Sequence, residues 1–156
     1  MGKVIRVAPE DAPYVSATEY VAASPASSTE RDAPEQTLAT QALRTYFAGT
    51  DHSLALVETR ATADKPAVPH AHAVDEIIYV LEGELIIGRR TYGPESAIYI
   101  PAYTLYSFRV GSNGVRYLNF RAQADHSYIT KERFMSQRRE RTSVDIESEH
   151  GLAESG

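Results

Sequence analysis

The chain has 156 residues, with 16 Lys and Arg against 21 Asp and Glu and no Cys. That length suits one domain able to bury its own core, and a net charge of -5 gives no drive toward nucleic acid or anionic lipid. Without cysteine, disulfides and thiolate sites are excluded, so any metal must be held by imidazole, carboxylate or phenolate, and the expected partner is a small molecule.

Residues 1–40 are rich in Ala, Ser, Pro and charge, as in ASPASSTERDAPEQT, which predicts an irregular arm laid over the domain. The opening MGKVIRVAPEDAPYV lacks the apolar core of a signal peptide, and no apolar segment approaches the roughly 20 residues that span a bilayer. A cytoplasmic protein is the expectation.

Residues 41–125 carry short β-type runs: LRTYF, SLALVETRA, EIIYVL, ELIIGRR, AIYIP, LYSFRV and VRYLNFRA. Gly, Pro and Asn signals separate them at the spacing of an antiparallel sandwich or barrel, and GSNG, Gly111 to Gly114, reads as a tight hairpin. Residues 126–156 predict a short charged helix with Thr130 as its N-cap, then a frayed tail. The Arg138, Arg139 and Arg141 cluster is broken by Glu140 and reads as a solvated helix face.

The chemistry gathers in VPHAHAVDEIIYVLEGE. Side chains on a strand alternate, so in an extended segment His70, His72 and Glu76 share a face, with Ile78 and Val80 deeper on it. Two neutral imidazoles and one carboxylate form a facial set able to hold Fe(II), Mn(II), Zn(II), Ni(II) or Co(II), leaving positions for water, substrate or dioxygen.

The run HAHAVDEIIYVLEG resembles the first cupin motif, with His70, His72, Glu76 and Gly83 at its marked positions. The resemblance covers about residues 40–122. It implies an all-β fold, the double-stranded β-helix or cupin jelly-roll barrel, here with an N-terminal arm and a short C-terminal helix. The second motif aligns on ESAIYIPAYTLYSF. Pro101 is kept, whereas Glu95 and Tyr103 replace two glycines and Tyr106 replaces the ligand histidine.

Tyr106 therefore has three readings: a phenolate ligand, a neutral hydrogen-bond donor or general acid beside the metal, or a space-filling residue in a metal-free barrel. In the metal-free case His70 and His72 remain an acid–base pair. Ten tyrosines and no tryptophan suggest a phenol-rich cavity wall suited to a flat aromatic or polyketide-like ligand. Tyr117, Asn119 and Arg121 share one strand face that reads as exposed, and His52, His126 and His150 read as surface residues.

The leading expectation is a metal-dependent enzyme acting on an organic small molecule, with Fe(II) favoured in a dioxygenase and Tyr106 and Glu76 as catalytic groups. The alternative is a non-redox cyclase, isomerase or lyase acting on a carbonyl-containing substrate, and the third a barrel that binds without turnover. A homodimer is expected, its arm crossing to a neighbour.

Overall fold

The computed structural model describes residues 2–51 and 53–153, with side chains through residue 142. His52 falls outside the described residues, as does the side chain of His150.

The described residues form nine strands and three α-helices: β1 Val15–Ser16, α1 Ala17–Ala22, α2 Glu35–Ala39, β2 Gln41–Phe47, β3 Ala55–Ala61, β4 His70–Ala71, β5 Glu76–Ile87, β6 Arg90–Tyr92, β7 Ala97–Ile100, β8 Arg109–Arg121, β9 Ile129–Thr130 and α3 Lys131–Ala153. Seven strands form one antiparallel sheet in the order β1-β2-β3-β8-β5-β6, with β7 also on β5, while β4 and β9 form a second pair. This is the expected all-β jelly roll with a C-terminal helix.

Alternation on β5 explains the core. Ile78, Val80 and Leu85 are at most 1% exposed and pack with Phe108, Val110, Val115 and Tyr117, whereas Ile77 and Tyr79 point outward.

Three sequence expectations about turns are corrected. The Glu-Gly step at Gly83 does not end a strand, and Gly111 to Gly114 is not a hairpin; both lie inside the long strands β5 and β8. Gly83 has φ of +72°, and a Cβ there would come within 2.0 Å of the Gly114 carbonyl oxygen. The two strands bend past each other where neither carries a side chain, with register shifts on either side. The turn that was missed is Gly88-Arg89, a two-residue hairpin joining β5 to β6 inside the run read as one strand, with φ of +60° at Gly88.

The N-terminal arm is also more ordered than its composition suggests. Ser16 and Glu19 form a reciprocal capping box, with Ser16 Oγ accepting from Glu19 N at 3.2 Å and Glu19 Oε2 accepting from Ser16 N at 3.0 Å. The arm folds onto its own barrel: β1 pairs with β2, and Ser28 Oγ and Thr29 N both donate to His126 O at 3.0 Å. At the other end Thr130 Oγ1 accepts from Arg133 N at 3.3 Å, the expected cap, and the helix continues to Ala153 rather than fraying after Thr142. No helix among the described residues is long and apolar enough to cross a membrane.

Candidate active site

His70 is fixed by backbone pairing on both sides. β4 pairs His70 with Thr130 on β9, and on its other edge His70 exchanges two 3.0 Å hydrogen bonds with Tyr106. The residue standing where the second motif has a histidine is thus directly opposite the first histidine of the first motif.

After Ala71 the strand stops, correcting the expectation of one extended segment from His70 to Glu76. The bend is held by Asp75, whose carboxylate accepts from Ala102 N at 2.7 Å and from Tyr99 Oη at 2.9 Å, and by Tyr103 N donating to His72 O at 2.7 Å. Tyr103 and Glu95, which replace the motif's glycines, both adopt left-handed backbone, with φ of +57° and +68°.

The bend still leaves His70, His72, Glu76 and Tyr106 on the wall of one cavity of about 850 Å³, counting the space at its open mouth. The His70 and His72 rings are 5.1 Å apart edge to face, and Tyr128 stacks on His70 at 4.7 Å. Each imidazole spends its Nδ1 on a carbonyl: His70 on Val68 O at 2.9 Å, His72 on Ser127 O at 2.7 Å with Asp125 at 3.1 Å. Donation from Nδ1 leaves the Nε2 lone pair free. Burial, aided by His72, lowers the His70 pKa to about 4, so that ring is neutral at physiological pH.

Glu76 is 2% exposed. Its Oε1 accepts from Tyr106 Oη at 2.6 Å, and its Oε2 from Asn119 Nδ2 and Arg121 Nη2, both at 2.8 Å. Burial pushes this carboxyl upward, but Arg121, His72 and the Tyr106 hydrogen bond outweigh it and hold the group below the usual carboxylate range. Burial and the adjacent carboxylate drive the Tyr106 phenol well above its ordinary value. The pair is a proton held firmly on oxygen next to an anion.

Tyr117, Asn119 and Arg121, expected on an exposed strand face, all line the cavity. Register decides this, since β8 sets Arg121 opposite Glu76 and Asn119 opposite Ile78. The signal available in the sequence was their alternation with Leu118 and Phe120; a buried arginine is rare enough that the polar set reads as the outer face. The expected phenol-rich wall is present in Tyr20, Tyr106, Tyr117 and Tyr128. Residues from α1 and α2 also line the cavity, so the arm contributes to the site.

In donor type His70, His72 and Glu76 suit a divalent cation, and both imidazoles are oriented through Nδ1, but both Glu76 oxygens already accept hydrogen bonds, from Tyr106, Asn119 and Arg121. In spacing the set is open. Among the described residues no group of three or more His, Cys, Asp or Glu is gathered closely enough to hold an ion.

No family model matches the chain, and no curated protein matches it in sequence. Solved structures do resemble it. The polyketide cyclase RemF from Streptomyces resistomycificus superposes with a TM-score of 0.58 at 19% identity, over 87% of this chain and 94% of that one. An RmlC-like cupin from Ralstonia eutropha JMP134 gives 0.56 at 13% identity, over 78% and 69%. The Fe(II) form of HppE gives 0.55 at 14% identity over 76% of this chain, which spans 60% of that protein's length.

Proposed function

We propose that this small cupin-fold protein is an enzyme that moves protons on a flat, carbonyl-bearing organic molecule, giving cyclisation, isomerisation or elimination. One observation carries the reading: a half-buried phenol held in its protonated form 2.6 Å from a buried carboxylate, on the wall of the cavity that also carries His70 and His72.

In this reading His70, His72 and Glu76 would draw together around a divalent cation, which would supply Lewis acidity toward a substrate carbonyl. Tyr106, whose single hydroxyl proton goes to Glu76 Oε1, would turn that hydrogen bond to an oxygen of the substrate. Arg121 and Asn119 hold the Glu76 carboxylate in place and ionised. Tyr128, stacked on His70, fixes the plane of that ring. Residues of α1 and α2 in the arm form part of the cavity wall and would displace water from it. From the polyketide cyclase the proposal takes only that this fold, at nearly this length, carries cyclisation.

A second reading is oxidative, favoured by the pattern of two imidazoles and one carboxylate: with Fe(II) at the same residues the reaction would require dioxygen. Turnover of a candidate β-dicarbonyl substrate with and without oxygen tests the choice. Equal anaerobic rates support proton transfer, and strict dependence on oxygen supports the oxidative reading. Binding without product formation under either atmosphere leaves the third reading, a binding barrel. A homodimer remains part of the proposal, although β1 pairs within its own chain and the arm gives no reason for a crossover; light scattering decides it.

A further inference from the structure

Lys65, in the loop between β3 and β4, is 5% exposed and lines the same cavity. Lysine is almost never buried to this depth without a counter-charge. Its Nζ donates to the adjacent Pro66 carbonyl at 3.1 Å and lies 4.0 Å from the centre of the Phe108 ring. None of the ion pairs among the described residues includes it.

The carboxylates that share the cavity are already engaged. Glu76 is held by Arg121, Asn119 and Tyr106, and Glu30 by Ser24 and Ser28. Burial lowers the Lys65 pKa to about 8, which leaves the ammonium form predominant at neutral pH.

A second observation points into the same cavity. Thr37 Oγ1 and Tyr128 Oη are buried on its wall and have no hydrogen-bond partner within the protein. Buried hydroxyls are normally satisfied, and two without a partner on the wall of one cavity, beside an ammonium without a counter-charge, mark where ligand atoms complete the set. Aliphatic and aromatic side chains share the remaining wall, with Phe108 packed edge to face on Tyr117 at 5.9 Å.

We propose that Lys65 anchors the oxyanion of the substrate, a carboxylate or enolate carried on a flat unsaturated framework, with Thr37 and Tyr128 supplying hydrogen bonds to its polar atoms. The proposal rests on the reading of this cavity as a substrate site and narrows the substrate to anionic molecules. The ammonium recovers in the ligand the counter-charge that the protein withholds, and the phenol and phenyl rings accept the planar body.

Isothermal titration of the chelator-treated full chain with benzoate and with uncharged benzamide tests it, independently of any cation or turnover. The expected result is benzoate binding about tenfold tighter than benzamide. In Lys65→Met that preference falls to less than about twofold. Lys65→Gln, which keeps a polar head without charge, loses the preference equally, and thermal melts confirm that both variants fold. Equal affinities in the wild type, no binding of either probe up to about 10 mM, or a preference that survives in both variants overturns the proposal. Anion preference without catalysis would leave the anchor standing while the enzymatic reading fails.

Discussion

Glu76 on β5 and Arg121 on β8 are cross-strand partners, and the guanidinium Nη2 lies 2.8 Å from carboxylate Oε2, with the Glu76 side chain fully buried and that of Arg121 half-buried. Removing one member leaves a bare charge in the barrel. Arg121→Met should therefore cost about 3–5 kcal/mol in urea denaturation. Adding Glu76→Gln should recover much of that loss, because the double variant strands no charge. A double variant as unstable as the sum of the singles would show that the two residues act separately.

The buried phenols give a prediction at the alkaline end. Tyr106 and Tyr117 are pushed up by burial and by Glu76, and burial pushes Tyr128 up to about 12. A folded pKa above the unfolded value contributes stability below about pH 10 that is lost as the pH rises beyond it. Phenolate absorbance should show these three ionising together with unfolding, after the exposed tyrosines. Early ionisation of three extra phenols in the folded protein would contradict the burial.

At the acid end the prediction lies outside the cavity, at Glu58. Burial raises its pKa, but hydrogen bonds from Tyr14 at 2.5 Å, Arg116 at 2.8 Å and Tyr46 at 3.1 Å outweigh that and hold it below the ordinary 4.5. A depressed folded pKa contributes stability above about pH 4.5 that disappears as the pH falls below it. Glu58→Gln should destabilise by roughly 3 kcal/mol at neutral pH and flatten the acid limb of the stability curve. An unchanged acid limb would exclude this cluster as a source of acid sensitivity.

Backbone strain at the second motif predicts a gain. Glu95 is exposed at φ of +68°, a conformation that costs a side-chain-bearing residue about 1–2 kcal/mol. Glycine there avoids the strain but loses more entropy on folding, so Glu95→Gly should stabilise by about 0.5–1 kcal/mol, read as a higher melting temperature. A lower one would mean that the Glu95 side chain contributes more than the turn costs.

What was legible in the sequence followed from local periodicity. Ile78 and Val80 inward with Ile77 and Tyr79 outward, and the helix cap at Thr130, depend on spacing within one segment, whereas Tyr106 beside the first motif followed from the resemblance to the second motif. What was not legible depends on distant register. Arg121 reaches Glu76 across 45 positions of sequence, so its polarity suggested solvent where pairing makes it interior. Gly83 and Gly114 have turn chemistry, but their close approach converts two apparent chain reversals into one bend of two long strands. Lys65 and the arm gave no sign of their cavity role because loop burial is set by what packs over the loop.

The central claim is that His70, His72 and Glu76 bind a divalent cation while Tyr106 stays a neutral proton donor. Metal analysis after loading with Fe(II), Zn(II), Mn(II), Ni(II) or Co(II), on wild type beside His72→Ala and Tyr106→Phe, tests it most directly. The account predicts about one cation per chain in the wild type, loss in His72→Ala, and retention in Tyr106→Phe with turnover lowered by roughly a hundredfold. Wild type that binds none of these cations, or His72→Ala that binds them as well, would contradict it.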